Sequence, residues 1–439
     1  MTSQPLTRRS IFAQAWPIML GQTTVPLVGI VDTAVIGRTG DAAALAGVAL
    51  GATIINFLFW SFGFLRMGMT GMTAQAEGAG DREEVDAMLV RGIGIGLAFG
   101  AILLLLQLLL IPAAFGILAG GADVDASAKP FVAARFLGAP AGLAVFAING
   151  WLLGLGRTRA ALALQVVMNV ANAGLDILFV WHSHMGARGV GLGTSSAEWI
   201  ALLTGLIIVR AHLHALKDRE RLIDRAKLKR IFAVNADIMI RTVALLTLFA
   251  WFTNAGARLG ATPLAANQVL MQAVGLVAFV LDGFAFTAES RVGQALGAGS
   301  RATLVRAIRL TGEFSLGVAI LSGVLIALAG APSIRLLVTD DGVRAQAIGL
   351  LPMVIALPLI GMTAWLLDGI FIGATRGRAL RNAAILSTSL YILTDLALRP
   401  WGATGIWLAL LASYVYRAVA LGWHLPALLD SVAKPAPST

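Results

Sequence analysis

The sequence predicts an all-α integral membrane protein with twelve transmembrane helices in two six-helix lobes. Three observations support this fold class. First, the 439 residues are 58% hydrophobic and only 13% charged, which is typical of polytopic membrane proteins. Second, apolar stretches of about 20 residues, the length of a membrane span, recur throughout the chain. Third, the second half repeats motifs of the first at a nearly constant spacing, which indicates a duplicated architecture.

The individual spans are placed on apolar windows bounded by charge, glycine or proline. The apolar stretch after Arg8 and Arg9 is longer than a signal-peptide core, so we expect the first span to be retained. The twelve predicted spans are residues 11–37, 44–70, 88–112, 130–154, 160–182, 189–213, 232–258, 264–290, 303–330, 345–373, 379–398 and 402–424.

The distribution of basic residues predicts the orientation. Twenty-two Lys and Arg residues lie in connections on the side of the two termini and eight, Arg135 among them, on the other side. Because cytoplasmic loops hold the excess of Lys and Arg, both termini are expected in the cytoplasm. We therefore expect a multi-pass protein of the inner (cytoplasmic) membrane.

An internal repeat divides the chain. An offset of 219 residues aligns QAEGAGDR at 75–82 with QALGAGSR at 294–301, and it places Asp176 on Asp395. Six spans per half bring both halves into the membrane in the same direction, so the lobes should be related by a pseudo-two-fold axis along the membrane normal, as in transporters. The predicted domains are an N-terminal lobe at 1–213, a cytoplasmic linker at 214–231, a C-terminal lobe at 232–424 and a cytoplasmic tail at 425–439.

Charged residues within the spans mark the candidate site, because an ionised carboxylate in hydrocarbon costs several kcal/mol. Near the predicted outer ends of three helices in the N-terminal lobe, Asp32 lies five residues before Gly37, Asp176 five before Trp181, and Thr194 five after Gly189. At about 1.5 Å per residue, all three lie roughly 7 to 8 Å below these ends. Asn172, four residues before Asp176, is on the same helix face. The sequence thus predicts a polar cluster at one level.

Such a cluster has the chemistry of a proton or Na⁺ site. Two carboxylates a few Å apart cannot both ionise readily, so the pair of Asp32 and Asp176 would take up a proton. The carboxylate, amide and hydroxyl oxygens also suit a hard cation such as Na⁺. Glu198, one turn deeper than Thr194, is a candidate for lining the transport cavity. The alternative is that each acid is a buried structural residue at a helix contact.

The C-terminal half has acids in a different arrangement. We expect Asp282, Asp368 and Asp395 as further candidates for lining the cavity. In the seventh span, Asp237 and Arg241 are four residues apart and are interpreted as an ion pair at the membrane surface. The first acid of the cluster therefore has no acidic counterpart in the second repeat.

Two prolines, Pro17 and Pro26, precede Asp32 in the first span. Each removes one helical hydrogen bond, so each is either a fixed kink or a hinge.

Several classes of function are excluded or disfavoured. Cysteine is absent, which excludes thiolate metal sites and cysteine nucleophiles. There is no Gly-Lys dipeptide and hence no ATP-binding Walker A loop. No metal or nucleophile constellation of an enzyme is apparent, so we expect a non-enzymatic protein with no cofactor. The net charge of +10 follows from membrane topology, and nucleic acid is not an expected partner.

These motifs together resemble the multidrug and toxic compound extrusion (MATE) transporters, in particular their DinF-like branch. The resemblance rests on the twelve spans in two repeats, the opening AWPIMLGQTTVPLVGIVDTAVIGRTG, and the stretches GQALGAGS and GLGRTRAAL. It implies a V-shaped two-lobe fold that exports amphipathic, often cationic, compounds in exchange for H⁺ or Na⁺.

The resemblance also assigns roles. Asp32, Asn172, Asp176 and Thr194 match the family's cation site in the N-terminal lobe, and Pro17 matches its bend in the first helix. In another branch the site is in the C-terminal lobe and uses an Asp of the tenth span, which Asp368 matches, with a Glu of the seventh span, which is missing here.

The sequence therefore predicts a secondary antiporter, expected as a monomer among membrane lipids. The alternative is a lipid or oligosaccharide-precursor flippase of similar build, which would need a strongly cationic cavity. Few arginines lie within the predicted spans, and Arg66 and Arg417 are the candidates.

Overall fold

The computed structural model describes residues 6–118, 121–215, 222 and 224–432. Within these residues the chain forms α-helices with short connections and no strand. Residues 216–221 and 223 of the predicted linker and residues 433–439 of the predicted tail lie outside the described residues. The helices are α1 Arg8–Gly37, α2 Ala42–Ser61, α3 Phe64–Gly78, α4 Arg82–Ile117, α5 Ala122–Phe136, α6 Ala139–Gly154, α7 Thr158–Asp176, α8 Gly186–Ala215, α9 Arg225–Arg258, α10 Ala261–Gly297, α11 Arg301–Leu337, α12 Asp341–Gly373, α13 Gly377–Leu398 and α14 Gly402–Asp430.

The helices agree with the predicted twelve spans. In the described part of the chain, ten helical segments are long and apolar enough to cross a membrane, and the bent pair of α5 and α6 makes eleven. One of the ten, Gly377–Asp430, is 54 residues long, far more than the roughly 20 residues that a membrane requires. It contains two helices, α13 and α14, which are separated by a short 3₁₀ turn and pack against each other. Counted as two spans, they bring the total to twelve.

Two of the predicted spans are interrupted. The second breaks between α2 and α3 at Phe62 and Gly63. The fourth consists of α5 and α6, which meet at an angle of 52°. Proline at the start of α6 favours a new helix there, because Pro140 has no backbone N–H to continue the hydrogen bonds of α5. This bend places the last turn of α5 inside the helix bundle.

The chain divides into two compact units. Over its described residues, unit 1 contains Met1–Met19, Ala74–Gly80 and Arg230–Thr439, and unit 2 contains Leu20–Thr73 and Asp81–Lys229. The division at 229 and 230 falls within the predicted linker. The two short segments of unit 1 that come from the first half do not follow from the repeat. The predicted lobe boundaries stay a prediction.

The internal repeat is visible in the backbone. Gly80 and Gly299, 219 residues apart, have φ values of 74° and 64°. Gly156 and Thr375, at the same separation, have φ values of 72° and 53°. Both pairs lie in the left-handed region, where a turn ends one helix before the next begins. Equivalent turns at the same offset support the duplication.

Within unit 1, residues of the repeated motif contact each other reciprocally. A β-carbon on Gly78 would overlap the backbone carbonyl oxygen of Gln294, and one on Gly297 would overlap that of Gln75. Each glycine is therefore needed for a close approach between helices. Gln75 and Gln294 are repeat mates, and so are the two glycines, which makes the contact locally two-fold.

The first helix is continuous. The α1 helix runs from Arg8 to Gly37 through both Pro17 and Pro26. The seventh helix, in contrast, changes geometry immediately after Asp176, where a π-helical turn at Ile177–His182 begins. Such turns are frequent at functional sites because they widen the helix locally.

Candidate functional site

Four predicted residues come together in unit 2. Asp32 on α1, Asn172 and Asp176 on α7, and Thr194 on α8 are all buried, with 0% to 8% of each residue exposed. The carboxyl groups of Asp32 and Asp176 lie within hydrogen-bonding distance of each other. Two carboxyl groups at this distance need a proton between them, since two anions would repel. The arrangement is therefore suited to holding and releasing a proton.

The Asn172 amide joins the cluster. Its Nδ2 lies 3.0 Å from the Thr194 hydroxyl oxygen, 3.1 Å from Asp176 Oδ2 and 3.4 Å from Asp32 Oδ1. An amide nitrogen has two hydrogens, so at most two of these three bonds form fully at once. The Thr194 hydroxyl donates to the Val190 carbonyl at 3.1 Å, which leaves its oxygen free to accept from Asn172.

A glycine makes room for the cluster. A β-carbon at Gly193 on α8 would overlap Asp176 Oδ1. Only glycine therefore lets α8 approach the carboxylate this closely. Asp176 is also the last residue of α7 before the π-helical turn.

A polar face of α7 extends from this cluster toward the middle of the helix. Gln165 Nε2 donates to Asn169 Oδ1 at 2.9 Å, and Asn169 Nδ2 donates to the Thr24 carbonyl at 3.2 Å. These two side chains connect α7 to α1 two residues before Pro26. Sequence reasoning missed them, although Asn169 lies three residues before Asn172 and Gln165 four before Asn169, which was a helical signal.

Arg135 is a further residue that the sequence analysis missed. It was counted in an outer connection, and this assignment was wrong. Arg135 is buried in the last turn of α5 and donates to Glu198 Oε1 at 3.0 Å. The signal was present, because Arg135 lies five residues into the predicted fourth span, the same depth as the cluster. Glu198 is thus placed beside a buried guanidinium.

In unit 1, Asp368 on α12 is held by two arginines. Arg241 Nη2 donates to Asp368 Oδ2, and Arg417 Nε lies 3.7 Å from the same oxygen. The predicted surface pair of Asp237 and Arg241 is wrong. Asp237 binds Arg381 at 2.6 Å, because Arg241 reaches the buried carboxylate across the helix contact. Two guanidiniums next to one carboxylate leave no need for a metal cation at this position.

Asp395, another predicted candidate of unit 1, has different partners. Asp395 Oδ2 accepts from Trp251 Nε1 at 2.9 Å and from Arg258 Nη2 at 3.1 Å. Asp282 is half-buried on α10. Asp176 and its repeat mate Asp395 therefore have opposite surroundings, the first beside another acid and the second bound to a base.

Comparison of the sequence with a protein-family model identifies the family of this chain. The MatE family model matches residues 17–178 and 238–396, which is more than half of the chain and covers both repeats. The chain belongs to the MatE family. Members of this family are transporters and not enzymes, and they need no cofactor.

Curated relatives of this MatE protein align over almost its full length. It is 39% identical over 417 residues to DNA damage-inducible protein F of Escherichia coli (strain K12), covering 94% of this chain and 91% of the relative. It is 28% identical to the probable multidrug resistance protein NorM of Pseudomonas syringae pv. tomato, covering 96% of each.

Solved structures of the family share the fold. The Vibrio cholerae MATE transporter VcmN in its bent form superposes with a TM-score of 0.88 at 18% sequence identity, covering 97% of each chain. The MatE chain is thus a multi-pass membrane protein with the twelve-helix fold of these transporters.

Proposed function

We propose that this chain is a proton-coupled antiporter that exports amphipathic, cationic small molecules by alternating access. It would act as a monomer in the inner membrane, with both termini in the cytoplasm. The observation that carries the proposal is the buried carboxyl pair of Asp32 and Asp176, bridged by the Asn172 amide. The names of the relatives, among them multidrug resistance proteins, support export of small molecules.

The orientation of Asn172 favours H⁺ over Na⁺ as the coupling ion. The amide nitrogen, a hydrogen-bond donor, is directed toward the oxygens of Asp32, Asp176 and Thr194. A bound Na⁺ would require oxygen ligands around it, so the amide would have to rotate and present Oδ1 instead. A proton between the carboxyl groups requires no such rearrangement.

Exchange follows from the charge of the pair. The deprotonated pair attracts a cationic substrate from the cytoplasm. A proton arriving from outside neutralises one carboxylate and weakens this attraction, so the substrate is released outward. The empty, protonated transporter then returns and loses its proton to the cytoplasm. Each ligand can shift the equilibrium only by its differential affinity for the two states.

Bending of α1 is the proposed link between protonation and shape. Pro26 lies six residues before Asp32 and leaves the Gln22 carbonyl without its helical N–H partner. Pro17, nine residues earlier in α1, likewise removes one backbone hydrogen bond of the helix. We assign both prolines as bending points, with Pro26 closer to the charge that changes.

Transport of a cationic dye tests this function. In proteoliposomes with an imposed pH gradient, the wild-type protein should move ethidium against its concentration gradient. Asp32→Asn should fold but lose at least about 90% of gradient-driven transport. Asp123→Asn removes an exposed carboxylate of the same unit and should retain full activity. Thermal unfolding of each variant verifies folding.

The ion is tested in the same vesicles. A Na⁺ gradient at equal pH on both sides should drive no transport, and Na⁺ at equal concentration should not change proton-driven transport. Full activity of Asp32→Asn would contradict the proposed function, and transport driven by Na⁺ alone would contradict the choice of ion.

The flippase alternative is less well supported. It requires free basic groups to attract an anionic headgroup. The buried Arg135 and Arg417 and the partly buried Arg241 each lie against a buried carboxylate, which offsets their charge.

A further inference from the structure

The ion pair of Arg135 and Glu198 lies next to the candidate proton site but is not one of its carboxylates. Arg135 Nη2 donates to Glu198 Oε1 at 3.0 Å, and about 10% of each side chain is exposed. The guanidinium also lies over the ring of Phe59, 5.4 Å from its centroid. Burying two charges is costly unless their geometry is excellent and further hydrogen bonds satisfy them. A pair retained at this cost, beside the proton site, is a candidate for a functional role.

The surrounding chain is shaped to hold the pair. A β-carbon at Gly138 would overlap Glu198 Oε2, and one at Gly142 would be 3.3 Å from its carboxyl carbon. Ser195, three residues earlier on α8, donates to the Ala134 carbonyl at 2.7 Å. The bend between α5 and α6 thus forms a pocket for the carboxylate, and Ser195 fixes α8 against it.

The same stretch of α8 contacts the proton site. Gly193 lies against Asp176, and Thr194 accepts from Asn172. Glu198 follows one turn after Thr194, on the same face. Arg135 is close enough to interact electrostatically with both Asp32 and Asp176. One guanidinium therefore forms an ion pair with Glu198 and lies within electrostatic range of the two aspartates.

Hydrogen-bonding capacity remains within the group. In the described residues, Arg135 Nη1, Glu198 Oε2 and Asp176 Oδ1 are buried and have no hydrogen-bond partner. A buried polar atom without a partner is costly. The Arg135 guanidinium therefore has a free face, and two nearby carboxyl groups have free oxygens.

Other charges on the neighbouring helices are more distant. Helices α2 and α6 contain no titratable residue, and α4 contains none after Arg91. In α7 the only other charge, Arg159, is at the opposite end. The closest remaining ones are each six residues, about 9 Å of helix rise, from a member of the site. These are Arg38 just after α1, Lys129 on α5, His182 at the end of the π-helical turn after α7, and Arg188 on α8.

We infer that Arg135 is the shared counter-charge of the site, held in place by Glu198, and that it sets the pH range in which the Asp32–Asp176 pair takes up and releases its proton. Arg135 is a positioning residue for the proton and does not carry it. This role rests on the proposed function. Glu198 competes with the two aspartates for the guanidinium, so its charge acts on the pair in the opposite direction.

The test is an infrared titration of the protonated carboxyl band in the purified full-length protein, without substrate. The Asp32→Asn/Asp176→Asn variant identifies the part of the band that belongs to the pair. Arg135→Gln should move its midpoint to higher pH, by about one pH unit or a tenfold change in proton affinity, because a cation that favours the anions is lost. Glu198→Gln should move it to lower pH, because the guanidinium is then free to act on the pair.

Two further variants separate charge from structure. Arg135→Lys keeps the positive charge and should leave the midpoint within a few tenths of a pH unit of wild type. If Arg135→Gln does not fold, the double variant Arg135→Gln/Glu198→Gln replaces it. The double variant removes both charges of the ion pair, so Glu198 is not left as a buried acid without its partner. Its titration midpoint should lie at a higher pH than that of Glu198→Gln alone, which again corresponds to about a tenfold higher proton affinity. The two variants differ only in the guanidinium.

The outcomes are distinguishable. Shifts of both single variants in the same direction, or no shift in either, would overturn the role of Arg135. The role of Arg135 would also be overturned if the double variant had the same titration midpoint as Glu198→Gln. If the wild-type band does not depend on Asp32 and Asp176 at all, the proposed function fails as well.

Discussion

Gly193 lies so close to Asp176 that a β-carbon at position 193 would fall on the Oδ1 oxygen of that carboxylate. The absence of a side chain on α8 is therefore as much a part of the site as the acid on α7. The contact fixes the side of Asp176 that faces away from Asn172. It leads to a prediction that does not alter any charged residue.

Gly193→Ala should displace the Asp176 carboxylate and reduce proton-driven transport at least about tenfold. Overpacking of this kind costs about 1–3 kcal/mol, so the variant should still fold. Gly174→Ala on the neighbouring helix is the matched control, since nothing lies within 4 Å of its β-carbon position. It should be as active as wild type. Dye transport and thermal unfolding measure both. Equal activity of the two variants would contradict the role of the close contact.

Thr194→Val should weaken coupling because it removes the oxygen that accepts from Asn172 and keeps the shape of the side chain. Loss of this hydrogen bond should cost about 1–3 kcal/mol of local stabilisation and shift the pH dependence of transport. Thr194→Ser keeps the hydroxyl and should have the pH dependence of wild type. Thr204→Val provides the control. Thr204 lies on the same helix, is half-buried, and donates to the Ile200 carbonyl at 2.9 Å just as Thr194 donates to Val190. An effect of equal size in both valine variants would show that the Thr194 hydroxyl matters only for its hydrogen bond to the backbone of α8, and would contradict its role in accepting from Asn172.

Asp368→Asn should destabilise the protein and leave coupling in place. It removes the buried carboxylate that binds Arg241 and Arg417, and breaking a buried pair in this way costs about 3–5 kcal/mol. We expect a clearly lowered thermal unfolding temperature, with the protein that remains folded still coupled to protons. The opposite result, unchanged stability with lost coupling, would indicate a cation site in unit 1.

Asp224 caps α9 outside the membrane spans, and its effect should depend on pH. Its Oδ1 accepts from the backbone N–H groups of Lys227 and Ala226 at 3.2 and 2.9 Å. The bond from Lys227, with a smaller effect from Ala226, lowers the pKa of Asp224 below its usual value. A lowered pKa in the folded state means that the cap stabilises the helix above the usual pKa of aspartate and is lost as the pH falls through the lowered value.

Hydrogen exchange measures this effect. At neutral pH, Asp224→Ala should speed exchange of the Ala226 and Lys227 amides relative to wild type at the same pH. The ratio of the exchange rates of Asp224→Ala and wild type should approach one at acidic pH. The amides at the start of α13, which has no side-chain cap, should not change. A ratio that is independent of pH would exclude capping by the carboxylate.

Much of the fold could be predicted from the sequence because a membrane imposes strong rules. Each span needs about 20 apolar residues, and backbone groups in lipid must be satisfied within a helix. The repeat at an offset of 219 residues then indicated the duplicated architecture. The bend between α5 and α6 could not be placed in the same way, because the apolar pattern continues across Leu137 and Gly138 and hydropathy does not register it.

The candidate site was only partly predictable. Depth along a helix is a matter of counting residues, so Asp32, Asp176 and Thr194 could be placed at one level from the sequence alone. The partner of a charged residue depends on the rotation and packing of helices that are far apart in sequence. For this reason Arg135 was assigned to a connection and Arg241 to the wrong acid.

The sequence by itself determined the membrane class, the twelve spans, the repeat and the four residues of the cluster, because hydrophobic length and helical rise are local properties. Only the tertiary structure decided which charges meet. It brought Arg135 to Glu198 beside the proton site, and it bound Asp368 and Asp395 to arginines. The physical reason is that a buried charge is stabilised by its neighbours in space, and these can be as far as 144 residues away in sequence.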